Sequence, residues 1–215
     1  MRRLLFRKHP HSHAREVENA TLQTVFFFVL PIVLLYFRII PLAARIPVLL
    51  VFSLLIYGVI RKEKWTEKDL GISLHNARKA LPLYLIATLA ALAVIVVSAH
   101  GLGADGTQHW WTRTHFLFMF IVVSFFQEFA FRGFLMPVLG KIFPDAFTVI
   151  VINALLFAGM HVIYPALIVG LPVAFVGGLF FAMLYHKYPN LLLVSISHCV
   201  LNFALVYFGL FVIPH

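Results

Sequence analysis

A single carboxylate constrains this chain more than any other residue. Glu128 lies inside the apolar stretch from Phe116 to Leu139, with Phe125, Phe126, Phe129 and Phe131 around it. A charge at membrane depth costs about 3 kcal/mol on insertion scales, so such residues are rare and marked for a role. Arg132 follows four residues later. On a helix, positions i and i+4 share a face, and an acid preceding a base is the favourable order. The spacing therefore predicts a Glu128–Arg132 pair, with Gln127 adding a second polar group beside it. The same spacing recurs twice, in Phe157 with His161 and in His198 with Asn202.

The rest of the chain is built for lipid. Only 12% of its 215 residues are charged and 62% are hydrophobic, whereas soluble domains carry roughly twice that charged fraction. About 18–20 apolar residues span a bilayer core, and such segments fall at roughly 20–38, 42–60, 80–99, 114–133, 146–164, 166–186 and 191–212. The expected fold is all-α: a polytopic membrane helical bundle of about seven spans (six to eight), with short interfacial helices. Residues 1–215 read as one integral membrane domain, and 1–19 as a basic cytoplasmic tail.

The net charge of +9 follows the positive-inside rule and does not point to nucleic acid. Arg2, Arg3, Arg7, Lys8 and Arg15 precede the first span. Arg61, Lys62, Lys64, Lys68, Arg78 and Lys79 lie between spans two and three, and Lys141 and Lys187 in later loops on that side. The opposite side holds Arg38, Arg45 and Arg113, which is 13 against 3, with Arg132 inside the membrane. This places the N-terminus in the cytoplasm and suggests the inner membrane of a prokaryotic cell. The first span is long enough to stay and lacks a small-residue cleavage site, unlike a signal peptide.

Several weaker features are read as structural. The lone Cys199 excludes an internal disulfide and a cysteine-based zinc site. His9, His11 and His13 belong to a solvated basic tail. Asp105 falls in an outer loop, and without a second membrane aspartate it makes no aspartyl-protease pair. The polar run Lys64 to Gly71 is expected to form a short amphipathic helix that Gly71 ends. Gly133 and Pro137 should bend or break the fourth span, leaving a short interfacial helix that ends near Lys141. Ser195 is expected to bond its own backbone.

Taken together, Gln127, Glu128, Arg132, His161, His198 and Asn202 form a hydrolytic kit. An imidazole or carboxylate of suitable basicity takes a proton from water, and a neighbouring His or Asn donates to the oxyanion developing on a carbonyl. Counting 1.5 Å per residue puts Glu128 about 20 Å down the fourth span, toward the cytoplasmic half, with His198 at similar depth. His161 counts nearer the outer end of its span.

These three motifs resemble those of the CPBP family of intramembrane proteases, which includes CAAX prenyl endopeptidases and bacteriocin-processing or immunity relatives. The family pattern is E-E-x-x-x-R, then F-x-x-x-H, then H-x-x-x-N or -D, and both the spacing and the order match here. The resemblance covers about residues 114–205, the motif-bearing core, and extends to Asp69-Leu70-Gly71. One position departs: Gln127 stands where the family has its first glutamate.

The resemblance implies an endopeptidase that cleaves a membrane-associated peptide or protein near the cytoplasmic side with activated water. It implies that His161 helps to activate that water, that His198 and Asn202 form the oxyanion site, and that Glu128 and Arg132 support them. An amide has no proton affinity near neutral pH, so Gln127 cannot replace the family's base; Glu128 is then the candidate to act with His161. A metal-assisted variant stays open, with Glu128, His161 and His198 as ligands to a divalent metal such as zinc and water as the fourth. The alternative from another class is a catalytically impaired family member, acting as a membrane scaffold or as a bacteriocin-immunity or peptide-binding protein. A transporter or proton relay ranks below both, because the membrane holds one acid and no repeat is visible.

Overall fold

The helix that carries the buried carboxylate is the axis of the bundle. In the computed structural model, described over residues 10–72, 74–104, 114–164 and 167–210, seven helical rods follow one another. Helix α1 comprises Pro10–Thr24, a π-helical turn Val25–Val29 and Leu30–Tyr36. Helices α2 (Arg45–Lys62) and α3 (Leu74–Gly101) come next. Helix α4 comprises Thr114–Glu128, a π-helical segment Phe129–Leu135 and Met136–Ile142. Helix α5 (Ala146–Gly159) ends in a 3-10 turn, Met160–Ile163. Helices α6 (Leu167–Lys187) and α7 (Leu191–Tyr207) complete the set.

Six of the rods are long and apolar enough to cross a bilayer, and α7 is a shorter apolar helix of the same character. The chain is an integral, multi-pass, all-α membrane protein. The tail before Pro10 and the outer loop holding Asp105, Trp110, Trp111 and Arg113 lie outside the described residues, as does the last part of the seventh expected span. Burial identifies the centre: 67% of the apolar window of α4 is buried, against 28% or less in the other five long helices. Their outward positions, such as Leu54, Val97, Phe147 and Ile168, are exposed large hydrophobics, as lipid contact requires.

Two expectations are corrected. Residues 64–71 make turns, not a short helix. Asp69 fixes them by accepting from the backbone N–H and the hydroxyl of Thr66 at 2.6 and 2.7 Å, and Gly71 closes them at φ +65°. Nor does α4 break at Gly133 or Pro137: it runs through to Ile142. The wider turns of the π-helical segment absorb the irregularity, and every residue from Phe129 to Leu135 is buried.

Aromatic packing ties α1 to that segment. Phe28 meets Phe131 edge-on at 5.0 Å, and Phe27 meets Phe134 at 5.7 Å. Asp145 and Asn190 cap α5 and α7, accepting from the N–H groups of Thr148 and Leu193 at 2.7 and 2.9 Å, contacts worth about 1 kcal/mol each. Thr88 donates to Ser197 at 2.7 Å, joining α3 to α7 inside the bundle.

Helices α5 and α6 pack at backbone range. A Cβ on Gly178 would lie 3.0 Å from Ala154 Cα and 3.2 Å from its carbonyl oxygen, so a glycine is needed for the approach. Gly178→Ala should therefore lower the thermal unfolding midpoint in detergent, by the ~1–3 kcal/mol typical of overpacking. An unchanged midpoint would show that α5 and α6 separate freely.

Candidate active site

The predicted Glu128–Arg132 pair forms, and both side chains are 0% exposed. Arg132 Nη1 donates to Glu128 Oε1 at 3.1 Å, and Nη2 donates to the carbonyl of Gly178 at 3.0 Å. The guanidinium lies 4.5 Å from the centroid of the Phe157 ring and 5.5 Å from that of Phe181. Its charge is thus met by a carboxylate, a carbonyl dipole and aromatic faces, the kinds of contact that make a buried cation tolerable.

His198, on the first half of α7, joins the same carboxylate. Its Nδ1 lies 2.6 Å from Glu128 Oε1, and its ring stacks on Phe181 at 4.6 Å. A carboxylate accepts, so Nδ1 carries the proton and Nε2 is the nitrogen left for other chemistry. His161 repeats the arrangement with a neutral partner: its Nδ1 lies 2.8 Å from the carbonyl oxygen of Phe157. A carbonyl only accepts, so this Nδ1 also donates, which fixes the tautomer and makes Nε2 a proton acceptor. The Phe157 ring stands against both imidazoles, 5.1 Å from His161 and 5.6 Å from His198.

A cavity of about 720 Å³ opens beside these groups, and Gln127, His161, His198 and Asn202 all lie on its wall. Its size falls in the range of small-ligand pockets, roughly 300–1,000 Å³. Glu128 and Arg132 are not on the wall; they sit behind Phe157 and His198. Gln127 also borders a second, smaller cavity against α1 and α2, and its amide points at Met160 Sδ at 3.8 Å. The 3-10 turn at the end of α5 places His161 on the same cavity as His198, although residue counting put it nearer the outer surface.

The sequence reading missed Asn153, whose Nδ2 donates to the Phe131 carbonyl at 2.8 Å and so satisfies an acceptor within the π-helical segment. A fully buried amide in an otherwise apolar helix is the same kind of signal that singled out Glu128. It also missed Arg45 and Tyr164, both on the cavity wall. Ser195 donates to Leu191 O at 2.7 Å, a bond to its own helix. The zinc set does not assemble: among the described residues no three His, Cys, Asp or Glu side chains are grouped to hold a metal.

Fold and site together define a polytopic helical membrane protein with an internal cavity walled by two imidazoles and backed by a buried ion pair. The family described as Type II CAAX prenyl endopeptidase Rce1-like matches residues 109–204, just under half of the chain. That segment holds all three motifs, so the part of the chain that carries the site is similar to this family of intramembrane proteases. No curated protein and no solved structure matches the chain.

Removing one member of the ion pair should cost far more than removing both. Glu128→Ala strands a buried guanidinium, and about 3–5 kcal/mol of stability should be lost. Glu128→Leu combined with Arg132→Met should regain most of it. Thermal unfolding in detergent tests this; a double variant as unstable as the single one would show that the loss is not due to uncompensated charge.

Proposed function

We propose that this protein is an intramembrane endopeptidase that uses water to hydrolyse a peptide bond in a membrane-associated peptide or protein. The observation that carries the reading is the meeting of His161, His198 and Asn202 on one cavity wall, with the Nδ1 of each ring already fixed. His161 Nε2 takes a proton from water as the water oxygen attacks the scissile carbonyl carbon. The Asn202 amide donates to the oxyanion, and the imidazolium form of His198, its Nδ1–H donating to Glu128, offers Nε2–H to the same oxygen. Collapse breaks the C–N bond, and the leaving amine receives the proton from His161. No covalent acyl-enzyme forms.

Glu128 takes an orienting role in this scheme. It is buried off the cavity wall and shared between Arg132 and His198, which suits a carboxylate that positions an imidazole more than one that strips a proton from water. Gln127 stands on the wall where a carboxylate would meet the cavity. Its amide favours the second reading, a family member that binds a peptide without cutting it. The basic loops support a cytoplasmic N-terminus in a prokaryotic inner membrane.

Cleavage of a library of membrane peptides in liposomes tests the reading. This chain should cleave, and His161→Ala should lower the rate ~100-fold or more, the usual contribution of general acid–base catalysis. Gln127→Glu should raise it by giving the water proton a second acceptor. If only Gln127→Glu cleaves, the binding reading replaces the protease reading. Cleavage should also survive a strong chelator; a loss that zinc restores would overturn the metal-free scheme.

A further inference from the structure

The smaller cavity shares a border with the larger one. Arg45, Ile46, Val123, Gln127 and Tyr164 line both. From that border the smaller cavity runs between α1, α2 and α4, past the rings of Phe27, Phe28, Phe52 and Phe131. Its walls belong to the interior of the bundle: Phe28, Ile56 and Phe131 are all buried. Its volume of about 110 Å³ is of the order of the roughly 150 Å³ cavity that takes up a benzene ring. That is room for one side chain.

One polar group in this wall is unaccounted for. Ser53, on α2, is 2% exposed, and its hydroxyl has no hydrogen-bond partner among the described residues. A helical serine or threonine can bond the carbonyl four residues back, and Thr21, Thr24 and Ser195 do so in this chain. Ser53 does not, although it sits among apolar side chains where an unpaired hydroxyl is costly. It lies eight residues beyond Arg45, about 12 Å further along α2. The guanidinium thus belongs to the border, and the hydroxyl to the depth of the pocket. At the border the Gln127 amide makes a weak contact, with Met160 Sδ at 3.8 Å.

The geometry points to a subsite for one uncharged aromatic side chain with a hydrogen-bonding tip: a tyrosine of the peptide that occupies the main cavity. The four phenylalanines receive the ring by edge and face. Ser53 pairs with the phenolic hydroxyl, and Gln127 meets the main chain from which the side chain hangs. A phenylalanine would leave Ser53 unsatisfied, and a charged side chain would lose its hydration for no counter-charge in the depth of the pocket. The subsite rests on the main cavity being a peptide site, which the cleaving and the non-cleaving readings share.

A series of host peptides tests it. An apolar peptide of about 20 residues, reconstituted with the full chain in nanodiscs, carries one Tyr at each position in turn, with Phe and Ala counterparts. Affinity is read by competition against a labelled member of the series, and cleavage by mass spectrometry. At the position that enters the pocket, Tyr should bind about 5-fold tighter than Phe, a preference that one neutral hydrogen bond supports. Ser53→Ala should bring that ratio to one and Ser53→Thr should keep it. Ser53→Leu, which fills the pocket, should make Ala the preferred residue. Each ratio is taken within one preparation, so a smaller folded fraction does not alter it. A ratio of one at every position, or a ratio that Ser53→Ala leaves unchanged, would overturn the subsite. Cleavage without the preference would do so and leave the protease reading standing. A Ser53-dependent preference in binding without cleavage would support the subsite and refute the protease reading alone. A chain that binds no member of the series overturns both.

Discussion

One carboxylate oxygen organises the centre of this protein. Glu128 Oε1 accepts from Arg132 on its own helix and from His198 on α7. Through Nη2, Arg132 reaches the backbone of α6 at Gly178. Three helices are thereby referenced to a single point, in surroundings where competing water is scarce and the bonds are correspondingly strong. The arrangement has few substitutes, because each group removed leaves another buried and unsatisfied.

Around that point the protein uses aromatic rings where a soluble enzyme often uses water. Phe157 touches both imidazoles and lies beside the guanidinium, and Phe181 carries His198 on its face. Further out, Phe131 meets Phe157 and Phe28 meets Phe131. Packing thus runs without a break from the first helix to the imidazoles. Polar groups are confined to a few contacts, and the rings packed around them keep His161 and His198 from turning away from the cavity. Rigid support of this kind is what a site needs to hold reacting groups in place.

Much of this was legible in the sequence, because membrane chains follow simple rules. Apolar length gave the helices, and i, i+4 spacing gave the Glu128–Arg132 pair. The cost of burying a charge marked that pair as the centre. The remainder depended on geometry that spacing does not carry. Proline and glycine suggested a break in α4, but a helix can widen into π turns instead of breaking when its neighbours fill the space. Depth counting treats each span by itself, so it did not reveal that His161, in the turn that ends α5, shares a cavity wall with His198. The sequence placed Glu128 beside the other polar groups. It did not reveal that Glu128 would stand behind the cavity wall with Gln127 in front, since adjacent residues on a helix point about 100° apart.

The π-helical segment of α4 also makes chain length a chemical variable. A π turn holds one residue more than an α turn, so the segment is equivalent to an insertion lodged in the middle of a membrane span. Deleting any one residue between Phe129 and Leu135 would restore ordinary pitch and rotate the rest of α4, from Met136 to Ile142, by roughly 100° relative to Gln127 and Glu128. The faces that now meet α1 and the active site would no longer coincide. In this chain the number of residues in the segment therefore decides which side chains face the site, as much as their identity does.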